Sequence, residues 1–262
     1  MSTKGFFTDT TVCIGCKACE VACKQWNQLP DDGLQFTGMS YDNTGALGAS
    51  SWRHVAFVER PIALGGQTNE GFSWLMASDV CKHCERAGCL EACPTGAIIR
   101  TEFGSVYVQP DVCNGCGYCV SACHFGVIDR RADDGRAWKC TLCYDRLKVG
   151  EEPACAKSCP TDSIMFGEVD DLRAHAEARV AQLHERGTTE AYLYGADAAS
   201  QPGTEGLHAF FLLTDAPEVY NLPPDPVVPT KKVGAAWISA GLAALGLAAA
   251  AVAATIATRG EG

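Results

Sequence analysis

Positive charge is scarce in this chain of 262 residues: 21 Lys and Arg stand against 31 Asp and Glu, a formal net charge of -10. That deficit argues against nucleic acid or an anionic membrane surface as a partner of the soluble part, since both are bound chiefly through cations. A second absence is a G-x-G-x-x-G run after a strand, which removes the usual signature of a nicotinamide or flavin site. Met1 to Val12 contains a single Lys and no apolar core, so no cleavable signal peptide is expected. No residue stands out as a catalytic acid, base or nucleophile. There is also no unmatched cysteine, because the sixteen fall into four groups of four: 13, 16, 19, 23; 81, 84, 89, 93; 113, 116, 119, 123; and 140, 143, 155, 159.

The first and third groups read C-x2-C-x2-C-x3-C, the second C-x2-C-x4-C-x3-C and the fourth C-x2-C-x11-C-x3-C. Three thiols within seven residues, followed by a fourth after a C-x3-C step, is an iron-sulfur spacing, and the fourth thiol usually crosses to the other cluster of a pair. Four 4Fe-4S clusters built as two pairs are expected, and with them an electron-carrying role. Zinc fits less well, because zinc ribbons use two separated C-x2-C knuckles. Disulfides fit less well too, because disulfide-dense scaffolds are mostly shorter than about 80 residues. His54 and His83 are expected to be hydrogen-bonded or solvent-facing, since the thiols already complete the ligand sets.

Repetition runs through the cysteine blocks: the second and fourth groups end in CPTGAI (Cys93 to Ile98) and CPTDSI (Cys159 to Ile164), which marks an internal duplication. Apolar runs at Ala97 to Ile99, Val106 to Val108 and Ile164 to Phe166 read as short strands, as does Trp52 to Arg60. The expected fold is α+β, a duplicated bacterial ferredoxin-like four-cluster domain with one C-terminal transmembrane helix. The expected division is 1-30 and 78-169 for the cluster domain, 31-77 for an insertion packed on it, 170-232 for a helix and Pro-rich connector, and 233-258 for the membrane anchor. Within it, Asp170 or Asp171 serves as N-cap to an amphipathic helix with Leu172, Ala176, Val180 and Leu183 on one face and Gly187 as its stop. Pro223, Pro224, Pro226 and Pro229 then make a stiff, extended spacer.

Gly234 to Ala257 runs without a charge, fenced by Lys231 and Lys232 before it and Arg259 after it, with Trp237 near one end. A helix of that length crosses about 30 Å of hydrocarbon, and Lys, Arg and Trp at the ends suit the interfaces. The competing reading is a buried helix in a soluble domain. Gly241, Ala244, Gly246 and Ala248 suit close packing on another membrane helix.

CIGCKACEVACKQWN (Cys13 to Asn27), GCLEACPTGAII (Gly88 to Ile99), NGCGYCVSAC (Asn114 to Cys123) and KCTLCYDRLKVGEEPACAKSCPTDSIMFG (Lys139 to Gly167) resemble the iron-sulfur β subunits of membrane-bound molybdenum or tungsten oxidoreductases. The closest likeness is to respiratory formate dehydrogenase of the N type, and it continues through ARVAQLHERG (Ala178 to Gly187) and the Pro-rich lead into a single span. This resemblance implies that Cys13, Cys16, Cys19 and Cys159 share one cluster and Cys23, Cys140, Cys143 and Cys155 a second. It likewise implies that Cys81, Cys84, Cys89 and Cys123 share a third, and Cys93, Cys113, Cys116 and Cys119 a fourth. One departure is His124, where the family has proline. The simple reading is a tolerated substitution; the sharper one is an imidazole that makes the nearby cluster's potential pH-dependent.

The same resemblance implies a catalytic α subunit with a Mo or W bis-pterin centre that oxidises formate, a membrane cytochrome b (γ) subunit or quinone site as acceptor, and a role in anaerobic respiration. The alternatives are a β subunit of a hydrogenase or another molybdoenzyme, and a stand-alone membrane-tethered polyferredoxin. Two Lys before the span against one Arg after it favour a cytoplasmic cluster domain. The resemblance implies the extracytoplasmic face instead, reached with a twin-arginine signal on the α partner, and that side is the expectation for this single-pass membrane chain.

Overall fold

The computed structural model describes residues 2–33, 36–39, 41–63 and 70–259. Parts of the expected insertion (34, 35, 40 and 64–69) lie outside the described residues. A four-stranded sheet carries the order β8-β1-β10-β9, with β1 at Lys4–Asp9, β8 at Ile164–Glu168, β9 at Tyr192–Tyr194 and β10 at Ala209–Leu213. β1 runs parallel to β10 and antiparallel to β8. Alternation along a strand sends neighbours to opposite faces, and Phe6 and Phe7 use it. Phe6 packs among Cys19, Cys23, Cys81, Cys140 and Cys155, whereas Phe7 packs with Leu172, Ala176 and Leu183 of helix α6 (Val169–Glu185). The sheet therefore has most of the first- and fourth-group thiols on the Phe6 side, while the Phe7 side packs on α6 with Cys84 at its margin.

The other strands form three antiparallel pairs: β2 (Arg53–Ala63) with β3 (Glu70–Val80), β4 (Ile98–Arg100) with β5 (Val106–Val108), and β6 (Asp129–Arg130) with β7 (Ala137–Trp138). Their places along the chain expose the duplication. β1 leads into the first cysteine group and pairs with β8, which follows the fourth; β5 leads into the third group and pairs with β4, which follows the second. Likewise β2–β3 lies between groups one and two, and β6–β7 between groups three and four. The long β2–β3 hairpin thus occupies the place of a hairpin with two-residue strands in the other half.

Short helices carry or follow the thiols: α1 (Ala18–Trp26), α2 (Gly88–Glu91), α3 (Tyr118–Ala122), α4 (Tyr144–Lys148) and α5 (Ala154–Lys157). Helix α6 buries Leu172, Ala176 and Leu183 with Val180 half-buried, and Gly187 follows its end at φ +94°. Its start differs from expectation. Glu168 is the N-cap residue without a side-chain cap bond, and Asp170 and Asp171 fall in the first turn. The reason is that Val169 N–H donates to Thr3 O at 2.9 Å as β8 ends on the sheet, and Asp170 instead pairs with Arg173.

The segment expected to hold only a helix and a spacer also supplies β9 and β10. Its proline stretch lies on the domain: Leu222 and Val228 are buried, Tyr194 Oη donates to Pro223 O, and Val228 N donates to Gly203 O at 3.2 Å. After a 3-10 turn at Pro229–Lys232, helix α7 (Val233–Arg259) leaves the domain. It is long and apolar enough to cross a membrane, and none of its apolar window is buried against the rest of the chain. Trp237, Leu242, Leu245 and Leu247 are all exposed, which is incompatible with a buried helix of this chain and is consistent with a membrane anchor.

Candidate functional site

Each C-x2-C loop makes the same backbone step. The residue before the second cysteine is Gly15, His83, Gly115 or Leu142, with φ of +65°, +44°, +72° and +60°. A left-handed residue at this place turns neighbouring N–H groups toward the inside of the loop, as in the concave amide nests that iron-sulfur sites use. At Gly15 the space also demands glycine, since a Cβ would stand 2.6 Å from Phe57 Cε1 and 2.7 Å from Met76 Sδ. At Gly115 it would stand 2.5 Å from Gly135 O. His83 and Leu142 hold the same conformation against its steric penalty because both are buried. A second left-handed step follows three residues after Cys93, Cys123 and Cys159, at Gly96, Gly126 and Asp162.

All sixteen thiols are free of disulfides. Cys13, Cys16, Cys19 and Cys159 line one cavity, and Cys93, Cys113, Cys116 and Cys119 line another. Cys23 feels the charges of Cys140, Cys155 and Cys143, and Cys84 those of Cys81, Cys89 and Cys123. Burial pushes the thiols of Cys19 and Cys143 up to about 11 and that of Cys89 up to about 12. Cys93 goes the other way: burial opposes ionisation, but the Thr95 hydroxyl and the N–H groups of residues 95, 97 and 98 outweigh it.

Polar groups reach the sulfurs in a repeated pattern. The Thr hydroxyl of each C-P-T run approaches the cysteine before it, Thr95 to Cys93 at 3.6 Å and Thr161 to Cys159 at 3.9 Å. Backbone N–H groups of Ala137 and Leu142 donate to Cys113 and Cys140 Sγ, each at 3.4 Å. Ser78 Oγ lies 3.3 Å from Cys19 Sγ, and Arg53 Nη2 donates to Cys155 Sγ at 3.3 Å. Hydrogen bonds of this type raise cluster potentials by stabilising negative charge on sulfur.

The residues fit iron-sulfur clusters by a further criterion. Arg53 Nε and His83 Nε2 are buried without a hydrogen-bond partner, and His83 Nδ1 already accepts from Val106 N–H at 3.0 Å, which leaves Nε2 as the donor of the neutral ring. Arg53 reaches Cys155 Sγ and His83 directly precedes Cys84, so an anionic sulfide-thiolate cube would supply acceptors for such donors. Among the described residues no three His, Cys, Asp or Glu side chains meet closely enough to share one metal ion; the thiols are spaced around cavities instead.

His54 is buried and bonded through Nε2 to Asp42 Oδ1 at 2.9 Å, as a hydrogen-bonded histidine should be. His124 is exposed, with Lys232 among the charges that act on it. Arg53, Lys139 and Ser78 contribute to the site without any spacing signal. Thr95 and Thr161 were visible in principle, through the repeated C-P-T.

Residues 12–97 and 72–169 each match a family model described as a 4Fe-4S dicluster domain. The formate dehydrogenase iron-sulfur subunit of Haemophilus influenzae is 44% identical over 225 residues, covering 84% of this chain and 68% of the relative. The formate dehydrogenase-O iron-sulfur subunit of Escherichia coli is 42% identical over 245 residues, 92% of this chain and 78% of the relative. The protein belongs to the family of formate dehydrogenase iron-sulfur subunits. A chain of the anaerobic dimethyl sulfoxide reductase of Escherichia coli is a more distant relative, 35% identical over 169 residues, 64% of this chain and 75% of its own length. As a formate dehydrogenase-type iron-sulfur subunit with two dicluster matches and sixteen cysteines, the chain carries four 4Fe-4S clusters. Its relatives are named as subunits or chains of larger enzymes, so a catalytic partner subunit is implied.

Proposed function

We propose that this chain is the electron-transfer subunit of a membrane-bound formate dehydrogenase. A catalytic partner with a Mo or W bis-pterin centre oxidises formate, and electrons pass through this chain toward a membrane cytochrome b or quinone site. The observation that carries this reading is likeness at 42–44% identity over 84–92% of the chain to formate dehydrogenase iron-sulfur subunits. The likeness to the dimethyl sulfoxide reductase subunit covers only 64% of this chain.

The ligand sets are Cys13, Cys16, Cys19 with Cys159; Cys23 with Cys140, Cys143, Cys155; Cys81, Cys84, Cys89 with Cys123; and Cys93 with Cys113, Cys116, Cys119. Groups one and four make an outer pair, and groups two and three an inner pair. The two four-cysteine cavities, the mutual electrostatic influence within the other two sets and the matching β1–β8 and β4–β5 pairings support this assignment. The clusters, when bound, accept and release single electrons. The chain's own work is to space the thiolates, exclude water and stabilise negative charge.

Direction follows from the two ends. The first cysteine segment carries exposed Cys16 together with exposed Ile14 and Val21, apolar surface suited to the catalytic subunit. At the other end, Thr230 donates to Glu91 of α2, and Lys231 Nζ lies 3.0 Å from Glu205 Oε1, so the start of the anchor is tied beside the inner pair. Electrons therefore enter at the outer pair and leave from the inner pair. The extracytoplasmic side is proposed for the cluster domain.

Anaerobic purification of the tagged chain in mild detergent tests the reading. Formate-dependent dye reduction with Mo or W in a co-purifying large subunit supports it. A co-purifying catalytic subunit without formate activity moves the chain to a hydrogenase or another molybdoenzyme, and its absence to a free-standing polyferredoxin. Protease access in intact cells against inverted vesicles reads the side.

A further inference from the structure

Two buried cations lack a carboxylate partner among the described residues. Arg53, at the start of β2, is 2% exposed; Lys139, beside Cys140, is also 2% exposed. Other charged groups of the domain interior show the usual compensation, for example Lys82 with Asp79 and Arg146 with Glu151. A buried charge without a counter-charge is costly, so this fold needs anions beside both residues.

The neighbours identify those anions. Arg53 Nη2 donates to Cys155 Sγ at 3.3 Å, and Nη1 lies 3.4 Å from Ser78 Oγ, which in turn lies 3.3 Å from Cys19 Sγ. One guanidinium thus touches a ligand of one outer-pair cluster and, through Ser78, a ligand of the other. Phe6 closes the opposite side, its ring centroid 4.8 Å from Cζ. Lys139 Nζ donates to Val106 O and to Cys140 O, at 2.9 Å for the latter. Its charge acts on Cys81, Cys89 and Cys140, thiols of the second and fourth groups, where the inner and outer pairs meet.

We infer that Arg53 and Lys139 are fixed charges of the electron path, each placed at a junction between clusters, where it raises the potentials of the clusters on either side. This rests on the ligand assignment above. A thiolate-ligated cube is anionic and gains one negative charge on reduction, so a nearby cation in a low-dielectric interior stabilises the reduced form more than the oxidised one. A cation between two cubes also offsets their mutual repulsion, which lets neighbours be reduced in succession. Both are positioning residues in this sense: they touch ligands and carry no electron.

The test is an EPR-monitored redox titration of the intact complex, with iron counted per chain. Arg53→Gln is expected to lower the electron affinity of an outer-pair cluster at least tenfold, about 59 mV for a one-electron step, and Arg53→Lys to restore most of it. Lys139→Gln is expected to do the same at the junction of the pairs, while the cluster of Cys93, Cys113, Cys116 and Cys119 stays unmoved. Unchanged potentials in both Gln variants at full iron content would overturn the inference. If the Gln variants lose iron, retention by Arg53→Lys and Lys139→Arg supports a need for charge, and loss in those variants as well overturns it. A parent chain with fewer than four clusters would instead refute the ligand assignment.

Discussion

Trp26 Nε1 donates a hydrogen bond to Asp145 Oδ2 at 2.9 Å, joining the last residue of α1 to α4 across 119 positions of sequence. The Arg146 guanidinium stacks over the same indole, 4.2 Å from its centroid. Cys23 lies on α1 and Cys143 immediately precedes α4, so this contact clamps the two segments that carry one proposed ligand set. Removing it with Trp26→Ala is expected to cost about 1–2 kcal/mol, from a hydrogen bond to a charged acceptor and a cation–π contact. Thermal unfolding should move down by several degrees, and chelators should remove iron faster. Trp26→Phe, which keeps the ring, should fall between. An unchanged melting curve and iron-loss rate in Trp26→Ala would show that the clamp does not matter.

The glycines of the cysteine loops divide by what surrounds them. Gly15→Ala and Gly115→Ala meet both a left-handed backbone and an atom within 2.6 Å, so each is expected to lose a cluster, seen as lower iron and sulfide per chain. Gly96 has φ +67° with open space around it, and Gly96→Ala should keep its iron at a cost of roughly 1 kcal/mol. Equal behaviour of all three would contradict the argument from space.

Much of this site is legible in the cysteine spacing, because three thiols of each proposed set come from one stretch of chain and the loops between them are local; the distant fourth thiol is not legible that way. The strands at Val106–Val108 and Ile164–Glu168 and the buried face of α6 are legible for the same reason: their patterns are local. β10 is not. Ala209–Leu213 is buried throughout, so it shows no alternation, and its partner β1 lies some two hundred residues away. Arg53 and Lys139 leave no sequence signature either, since a buried cation and a solvent-facing one are the same letter. The stretch 223–229 reads as a stiff spacer rather than as packed chain because its bonds to Tyr194, Gln201 and Gly203 come from distant sequence.

Iron retention should depend on pH in a definite direction. Burial raises Cys19, Cys89 and Cys143 above the ordinary thiol value, so at neutral pH each of these thiols is protonated unless iron holds it as thiolate. Release from iron is therefore coupled to proton uptake, and acid favours release. Chelator-driven iron loss from the complex should accelerate from about pH 8 to about pH 6. A rate that is flat or falls over that range would contradict the coupling.

Truncation after Lys232 should release the chain from membranes while leaving its iron content intact, because α7 is exposed along its described length and the ties to Glu91 and Glu205 lie before it. Fractionation and iron analysis check this. Loss of iron on truncation would mean that α7 supports the cluster domain.

The central claim is that sixteen cysteines hold four clusters that formate can reduce through a partner subunit. The most direct measurement is anaerobic addition of formate to the purified complex, with EPR of the reduced clusters and iron counted on this chain. About sixteen iron atoms on this chain and cluster reduction by formate are the predicted result. Clusters that dithionite reduces but formate does not, or iron for only two clusters, would contradict the account.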